Sequence, residues 1–324
     1  MLERLRKKVL KKKKLSRKEV NELAYLDESK LMKILLVAEE IKRKYIGKTV
    51  DLCSIVNARS GNCSENCSFC PQSIHNRAEV KTYPLISEEE IMKKALIMEE
   101  KGADHFGVVI SGHSADEREF NRILKICNKL KEQTSLNICV SLGILTQKKA
   151  NKLAEAGIDR YNHNLETSEN YFNSICTSHS YQQRINTIKN LKNAEVEVCS
   201  GGIIGLGEKI DDRIELAFKL RQLEVDTISL NILNPVSGTP LENQKPLKPV
   251  EILKTIAFFR FINPDKPIKI CGGRERNLRD LQSMIFMAGG SGLLIGNYLT
   301  TEGRSCKEDT RMIKDLGLEM RANV

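Results

Sequence analysis

The chain has 324 residues, 40% of them hydrophobic and 29% charged, an ordinary globular composition with enough material for a sizeable core. No apolar run approaches the ~20 residues that span a bilayer, and the charged first twenty residues lack the apolar stretch of a secretory signal, so a cytoplasmic protein with no membrane partner is expected. Of the net charge of +10, residues 1–20 supply +8 through ten Lys/Arg and two Glu, which reads as a solvated helix face or frayed end rather than a nucleic-acid surface.

Two helical stretches follow this arm, around Arg17–Tyr25 and Ser29–Tyr45, the second with Asp27 or Ser29 as candidate cap. From Thr49 a rhythm begins. Short β-branched runs recur at Val50–Val56, His105–Ser111, Asn137–Leu142, Arg160–Asn164, Val196–Ser200, Thr227–Asn231, Ile268–Gly272 and Leu293–Gly296. Helical patterns such as "SEEEIMKKALIMEEKG" and "TQKKANKLAEAG" lie between most of them. Eight strand–helix alternations predict an α/β fold, a parallel (β/α)8 barrel of the TIM type over 49–324, with 1–48 as a basic helical extension.

Period-two reading of the strands assigns their faces. Leu52, Val56, Ile138, Val140, Leu142, Val196, Val198, Ile228, Leu230, Ile268 and Ile270 face the helices. Tyr161, His163 and Leu165 are read as outward too. That turns Cys53, Cys139, Cys199 and Cys271 into the lumen, together with Arg160, Asn162, Asn164, Ser229, Asn231 and Lys269. Structural barrels fill this space with branched aliphatics; a polar, sulfur-rich lumen points to a site.

Ten cysteines without an export signal read as thiols or metal ligands rather than disulfides. Three stand in "GNCSENCSFCPQS", where Cys63, Cys67 and Cys70 form C-x3-C-x2-C just after the first strand, at the mouth where barrel active sites lie. Such a loop can wrap three thiolates around one corner of a cubane cluster; a zinc ion completed by His75 is the competing reading. Cys127, in "RILKICNKL", reads as core packing; Cys176 and Cys306 receive no role.

With Phe69 inside it, the loop resembles the signature of radical S-adenosylmethionine enzymes. "CSENCSFCPQS", "YNHNLETS", "VCSGGIIGLGE", "SLNILNPVSGTPL" and "GGRE" then follow in the order seen in the biotin synthase family. The resemblance implies a 4Fe–4S cluster on Cys63, Cys67 and Cys70, with its fourth iron chelated by S-adenosylmethionine. Reductive cleavage of that sulfonium would give a 5′-deoxyadenosyl radical able to break unactivated C–H bonds of dethiobiotin, and an auxiliary iron–sulfur cluster would supply the sulfur. It also implies an electron donor, which the sequence does not identify, and a homodimer. By position, Asn162 and Asn231 match contacts to the ureido ring of dethiobiotin, Asn164 and Glu166 the ribose of S-adenosylmethionine, Arg184 its methionyl carboxylate, and Gly201–Gly207 the backbone edge near adenine.

The chain departs from that family in two places. Glu166 stands where a shorter Asp is familiar. The usual 2Fe–2S auxiliary cluster takes three cysteines and an arginine; Cys139, Cys199 and Arg274 match, but Gly107 occupies the place of the remaining cysteine. Because Cys53, Cys139, Cys199 and Cys271 all turn inward from alternate strands, they are expected to hold a rebuilt cluster, such as a four-iron cluster with an extra sulfide; the competing reading makes Cys53 and Cys271 small buried hydrophobes. Arg274 is then a ligand or a neighbour, according to whether Gly272–Gly273 bends the strand. The competing functions are another radical enzyme on this barrel, of the hydrogenase-maturase or methylornithine-synthase kind, and a non-catalytic protein with zinc in the loop and nucleic acid on the arm.

Overall fold

The computed structural model describes residues 1–321, so the last three residues of the expected barrel span lie outside the described residues. Eight parallel strands close into a cylinder: β1 (Thr49–Arg59), β2 (His105–Ile110), β3 (Asn137–Ser141), β4 (Arg160–Asn162), β5 (Glu197–Ile204), β6 (Thr227–Ile232), β7 (Ile268–Ile270) and β8 (Gly292–Leu294). Neighbours in sequence are neighbours in space, and β1 closes the ring by pairing with both β8 and β2. A short ninth strand, β9 (Glu319–Met320), adds to the first two residues of β1, a pairing that two residues of pattern do not announce.

The helices are α1 (Leu2–Leu10), α2 (Arg17–Ala24), α3 (Leu31–Tyr45), α4 (Glu88–Glu100), α5 (Glu117–Gln133), α6 (Gln147–Glu155) and α7 (Glu169–Phe172). Beyond these come α8 (Tyr181–Asn193), α9 (Ile210–Gln222), α10 (Pro249–Ile262), α11 (Arg274–Leu278), α12 (Met284–Met287) and α13 (Cys306–Asp315). Side-chain caps start many of them: Ser16, Ser87, Asp116, Thr146 and Ser180 each accept a hydrogen bond from the backbone N–H three residues on.

The N-terminal arm carries the expected solvated helix face, with Arg4, Lys7 and Lys11–Lys14 exposed, and it is not frayed. It is a helix whose Leu5 and Val9, one turn apart, are buried. Its cations are partly matched by Arg4–Glu22, Arg6–Glu40 and Lys8–Glu19 pairs. The second expected helix is corrected. Asp27 caps a 3-10 turn at Glu28–Lys30 by accepting from Ser29 N at 2.9 Å, and α3 proper begins at Leu31. The reason for this covering layer lies in α10, "PVEILKTIAFFRFI", which is apolar on nearly every side. A helix apolar all round must be covered on both faces. The α2 and α3 helices pack on α10, and Arg260 within it is fully buried, its charge spent on carbonyls of Gly289, Asn263, Pro264 and Lys266.

Candidate functional site at the barrel mouth and lumen

The cysteine loop leaves β1 at Arg59, which is anchored by Glu119 at 2.5 Å and by the Ser111 carbonyl. The loop is held by its own side chains. Asn76 donates to the carbonyls of Cys67 (3.1 Å) and Cys70 (2.7 Å), and Cys63 N donates to Gln72 O at 3.0 Å. It docks on the segment between β4 and α8: Asn66 accepts from the backbone N–H groups of Thr177 and Ser178, and Ser68 N donates to Ile175 O.

Cys63, Cys67 and Cys70 line a cavity of about 280 Å³ with Asn162, Asn164, Glu166 and Arg184. Asn164 accepts from Ser229 Oγ at 2.9 Å and lies 3.4 Å from Glu166. Glu166 has φ of +70°, and its carbonyl accepts from Ile203 N. A Cβ on Gly202 would lie 2.3 Å from that oxygen, so the glycine pair of β5 is what lets the Glu166 loop lie against the strand. Burial raises the Glu166 carboxyl above its ordinary pKa. Arg184 spends Nη1 on Asn164 O (2.8 Å) and Nε on His179 Nε2 (2.9 Å); Nη2 makes no hydrogen bond among the described residues. The Asn162 amide, beside the bare face of Gly107, likewise has no partner there. Asn231 does not line this cavity; its Oδ1 accepts from Gly272 N at 3.1 Å, leaving the NH2 group.

Below lies the sulfur layer. Cys139, Cys199 and Cys271 are buried and Cys53 is half-buried, and the four thiols lie close enough to act on one another electrostatically, as inward positions would place them. Burial pushes the Cys53 thiol up to about 11. Burial also raises Cys139 and Cys271, and each neighbouring thiol adds to the effect: Cys53 and Cys199 act on both. Four sulfurs within electrostatic reach of one another are costly as ions unless something positive joins them.

The floor of the lumen supplies part of that charge. Lys269 Nζ stands 2.6 Å from Cys53 Sγ and 2.8 Å from Asp51. Burial opposes the lysine's charge, but Cys53 and Asp51 outweigh it and raise its pKa. Arg160 lies 3.1 Å from Glu197 and 3.9 Å from Asp51, and its Nη1 is buried without a hydrogen-bond partner. His105 Nδ1 lies 3.8 Å from Cys139 Sγ.

Thiolates around one tetrahedral zinc ion sit about 3.8 Å apart. Among the described residues neither cysteine set brings three sulfurs within 4.8 Å of one another. His75 is exposed, and its Nε2 is engaged with the loop carbonyl of Ser64 at 3.1 Å. The two cations of the floor, Lys269 and Arg160, suit an anionic group at the sulfurs.

Both terminal nitrogens of Arg274 are engaged by groups other than the four cysteines. Gly273 has φ of +81° and lies so close to Ile232 O that a Cβ there would come within 1.9 Å, and the chain turns here into α11. The guanidinium is fully buried, 2.5 Å from both Asp309 and Gln282. Burial opposes its charge, but Tyr298, Asp309 and Glu275 outweigh it and raise the pKa.

Sequence reading missed a second wall of the upper cavity. Cys176 Sγ lies 3.7 Å from Cys67 Sγ and 3.4 Å from His179 Nδ1. His179 also meets Glu65, which lies between the first two loop cysteines and bonds His113 (3.0 Å) and Ser178 (2.6 Å). The only advance signal was the pairing of Cys176 and His179 just before the Ser180 cap. Cys127 is buried in α5 as expected, and Cys306 is buried at the start of α13.

Two family models match the chain: the Radical SAM superfamily over residues 58–220, and the Biotin and Thiamin Synthesis associated domain over 229–319. Biotin synthase of Clostridium acetobutylicum is 50% identical over 314 residues, 96% of each chain. The chain belongs to the biotin synthase family. Biotin synthase of Carboxydothermus hydrogenoformans is 47% identical over 318 residues and 98% of each chain, and that of Pelotomaculum thermopropionicum 51% identical over 298 residues, 92% of this chain and 93% of the other. Biotin synthase membership implies a 4Fe–4S cluster, S-adenosylmethionine and an auxiliary iron–sulfur cluster. Among solved structures, methylornithine synthase superposes with a TM-score of 0.85 at 21% identity over 98% of each chain. The FeFe-hydrogenase maturase of C. hydrogenoformans gives 0.84 at 19%, over 98% of this chain and 79% of the other. These two share the fold. No described helix is long and apolar enough to cross a membrane.

Proposed function

We propose that this chain converts dethiobiotin to biotin, taking one hydrogen from each of two carbons and joining them through one sulfur. The observation that carries the reading is the single cavity onto which three loop cysteines, the spare Arg184 nitrogen and the unpartnered Asn162 amide all open. The cluster held by Cys63, Cys67 and Cys70, with S-adenosylmethionine bound, supplies one-electron sulfonium cleavage and a carbon radical strong enough for an unactivated C–H bond.

The protein's own residues do the rest. Arg184 offers the N–H groups of its free Nη2 to a carboxylate, and Asn164 with Glu166 offers acceptors to ribose hydroxyls. Asn162 presents its amide to the planar ureido ring, which has matching donors and acceptors, and Asn231, outside this lining, offers the NH2 group that Gly272 leaves free. Burial of these groups keeps water from the reacting carbons. In the lumen, Cys53, Cys139, Cys199 and Cys271 hold the auxiliary cluster, larger than 2Fe–2S, with Lys269 donating to a ligand sulfur; Arg274 is a neighbour tied to Asp309. Residues 1–48 serve as an extension of the barrel domain, a one-electron donor is the partner, and two copies associate.

Anaerobically reconstituted protein given dethiobiotin, reductant and S-adenosylmethionine should form biotin, with about two 5′-deoxyadenosines released per biotin. Cleavage of S-adenosylmethionine without biotin would place the chain with another substrate.

A further inference from the structure

The triad of Glu65, His113 and His179 has the residue types of a mononuclear metal site. Its hydrogen bonds give it another task. Arg184 Nε can only donate, and it points at His179 Nε2 from 2.9 Å, so Nε2 must offer a lone pair. The ring proton is then on Nδ1, directed at Glu65. An Nδ1 that carries a proton has no lone pair for a metal, and a metal on Nδ1 would force a proton onto Nε2, against the Arg184 N–H.

We infer that Glu65 and His179 form a positioning relay that fixes Arg184 for the carboxylate of an α-amino acid moiety, that of the methionyl group of S-adenosylmethionine; this rests on the function proposed above. The relay is built for rigidity. Both members are buried, at 9% and 7% exposure. Glu65 is fixed from three sides by His113, Ser178 and His179. Phe172 packs edge-on against His179 with ring centroids 5.6 Å apart and lies 5.7 Å from the Arg184 guanidinium. With Nε held by His179 and Nη1 by Asn164 O, the planar fork is fixed, and Nη2 is the nitrogen left without a partner on a side chain that lines the cavity. Because Glu65 lies inside the cysteine loop, the same contacts lock the carboxylate site to the loop that carries the iron. Cys176, which also touches His179, stands at the edge of this chain of contacts and is not needed for it.

The test compares ligands with and without the group the relay serves. His179→Phe keeps the ring against Phe172 and removes both hydrogen bonds; His179→Gln restores one donor and one acceptor. Both are loaded with the 4Fe–4S cluster to wild-type iron content, and binding of S-adenosylmethionine and of its decarboxylated analogue is measured by calorimetry. Misaligning one charge-assisted pair should weaken S-adenosylmethionine roughly tenfold in His179→Phe while the analogue changes less than about twofold, and His179→Gln should recover most of the loss. Equal weakening of both ligands, or no weakening of either, overturns the relay. Should His179→Phe fail to hold iron, Glu65→Gln is measured in the same way, with the same two outcomes. Wild-type protein that binds neither S-adenosylmethionine nor dethiobiotin would instead overturn the functional proposal.

Discussion

Removing the carboxylate of Asp309 tests whether Arg274 serves the fold or the metal. Both side chains are wholly inaccessible and 2.5 Å apart. In Asp309→Asn the guanidinium stays buried, keeping Gln282 and, 3.5 Å away, the partly exposed Glu275. Breaking one side of a buried pair costs about 3–5 kcal/mol. Glu275 retains part of the compensation, which favours the lower end, ~3 kcal/mol. For a chain of this size about 2 °C is lost per kcal/mol, so the melting temperature should fall by roughly 6 °C. Urea unfolding of cluster-free protein measures this directly. The double variant Arg274→Met/Asp309→Leu should lose less than Asp309→Asn alone, since apolar groups replace both charges. Auxiliary iron content in Asp309→Asn should match wild type. A loss below about 1 kcal/mol together with depleted auxiliary iron would refute the reasoning, because the arginine would then be held for the cluster.

Three further outcomes are expected. Cys53→Ser and Cys271→Ser should each lower auxiliary iron and sulfide while leaving the loop cluster's visible spectrum in place; unchanged content would remove them as ligands. Asp104 is held up to about 6, first by burial and then by Asp51, against the backbone N–H of Leu52 that lowers it. Between its ordinary pKa near 4 and that raised value the folded state binds the extra proton, so stability should fall as pH rises through this window, and Asp104→Asn should flatten the decline in urea midpoints. Asn162→Ala should raise the dethiobiotin KM by roughly 5- to 100-fold, the worth of a buried hydrogen bond, with S-adenosylmethionine binding unchanged; equal effects on both ligands would move Asn162 out of the substrate site.

The barrel was legible because each strand advertises a period of two and each helix one of 3.6, and both are local. Parity alone turned Cys53, Cys139, Cys199 and Cys271 into one lumen, and they are there. What parity cannot state is who meets whom across the chain. Cys67 and Cys176 are 109 residues apart, Glu65 and His179 are 114 apart, and nothing periodic links either pair. The direction of Arg274 depended on the left-handed turn at Gly273, which a glycine pair permits but does not require. The docked side of α1 was hidden for a related reason: its charges outnumber its apolar residues, yet Leu5 and Val9 suffice once α3 offers a surface.

The lumen floor has a consequence for the life of the protein. Lys269 and Arg160 sit beside the thiols with Asp51 as their shared inner counter-ion, while Glu197 is more than half exposed. An empty barrel therefore carries surplus positive charge at its axis, which ionised, iron-bound sulfur would neutralise. A group that binds the folded lumen and not the unfolded chain adds to stability, so cluster-loaded protein should hold its fold to higher urea than cluster-free protein.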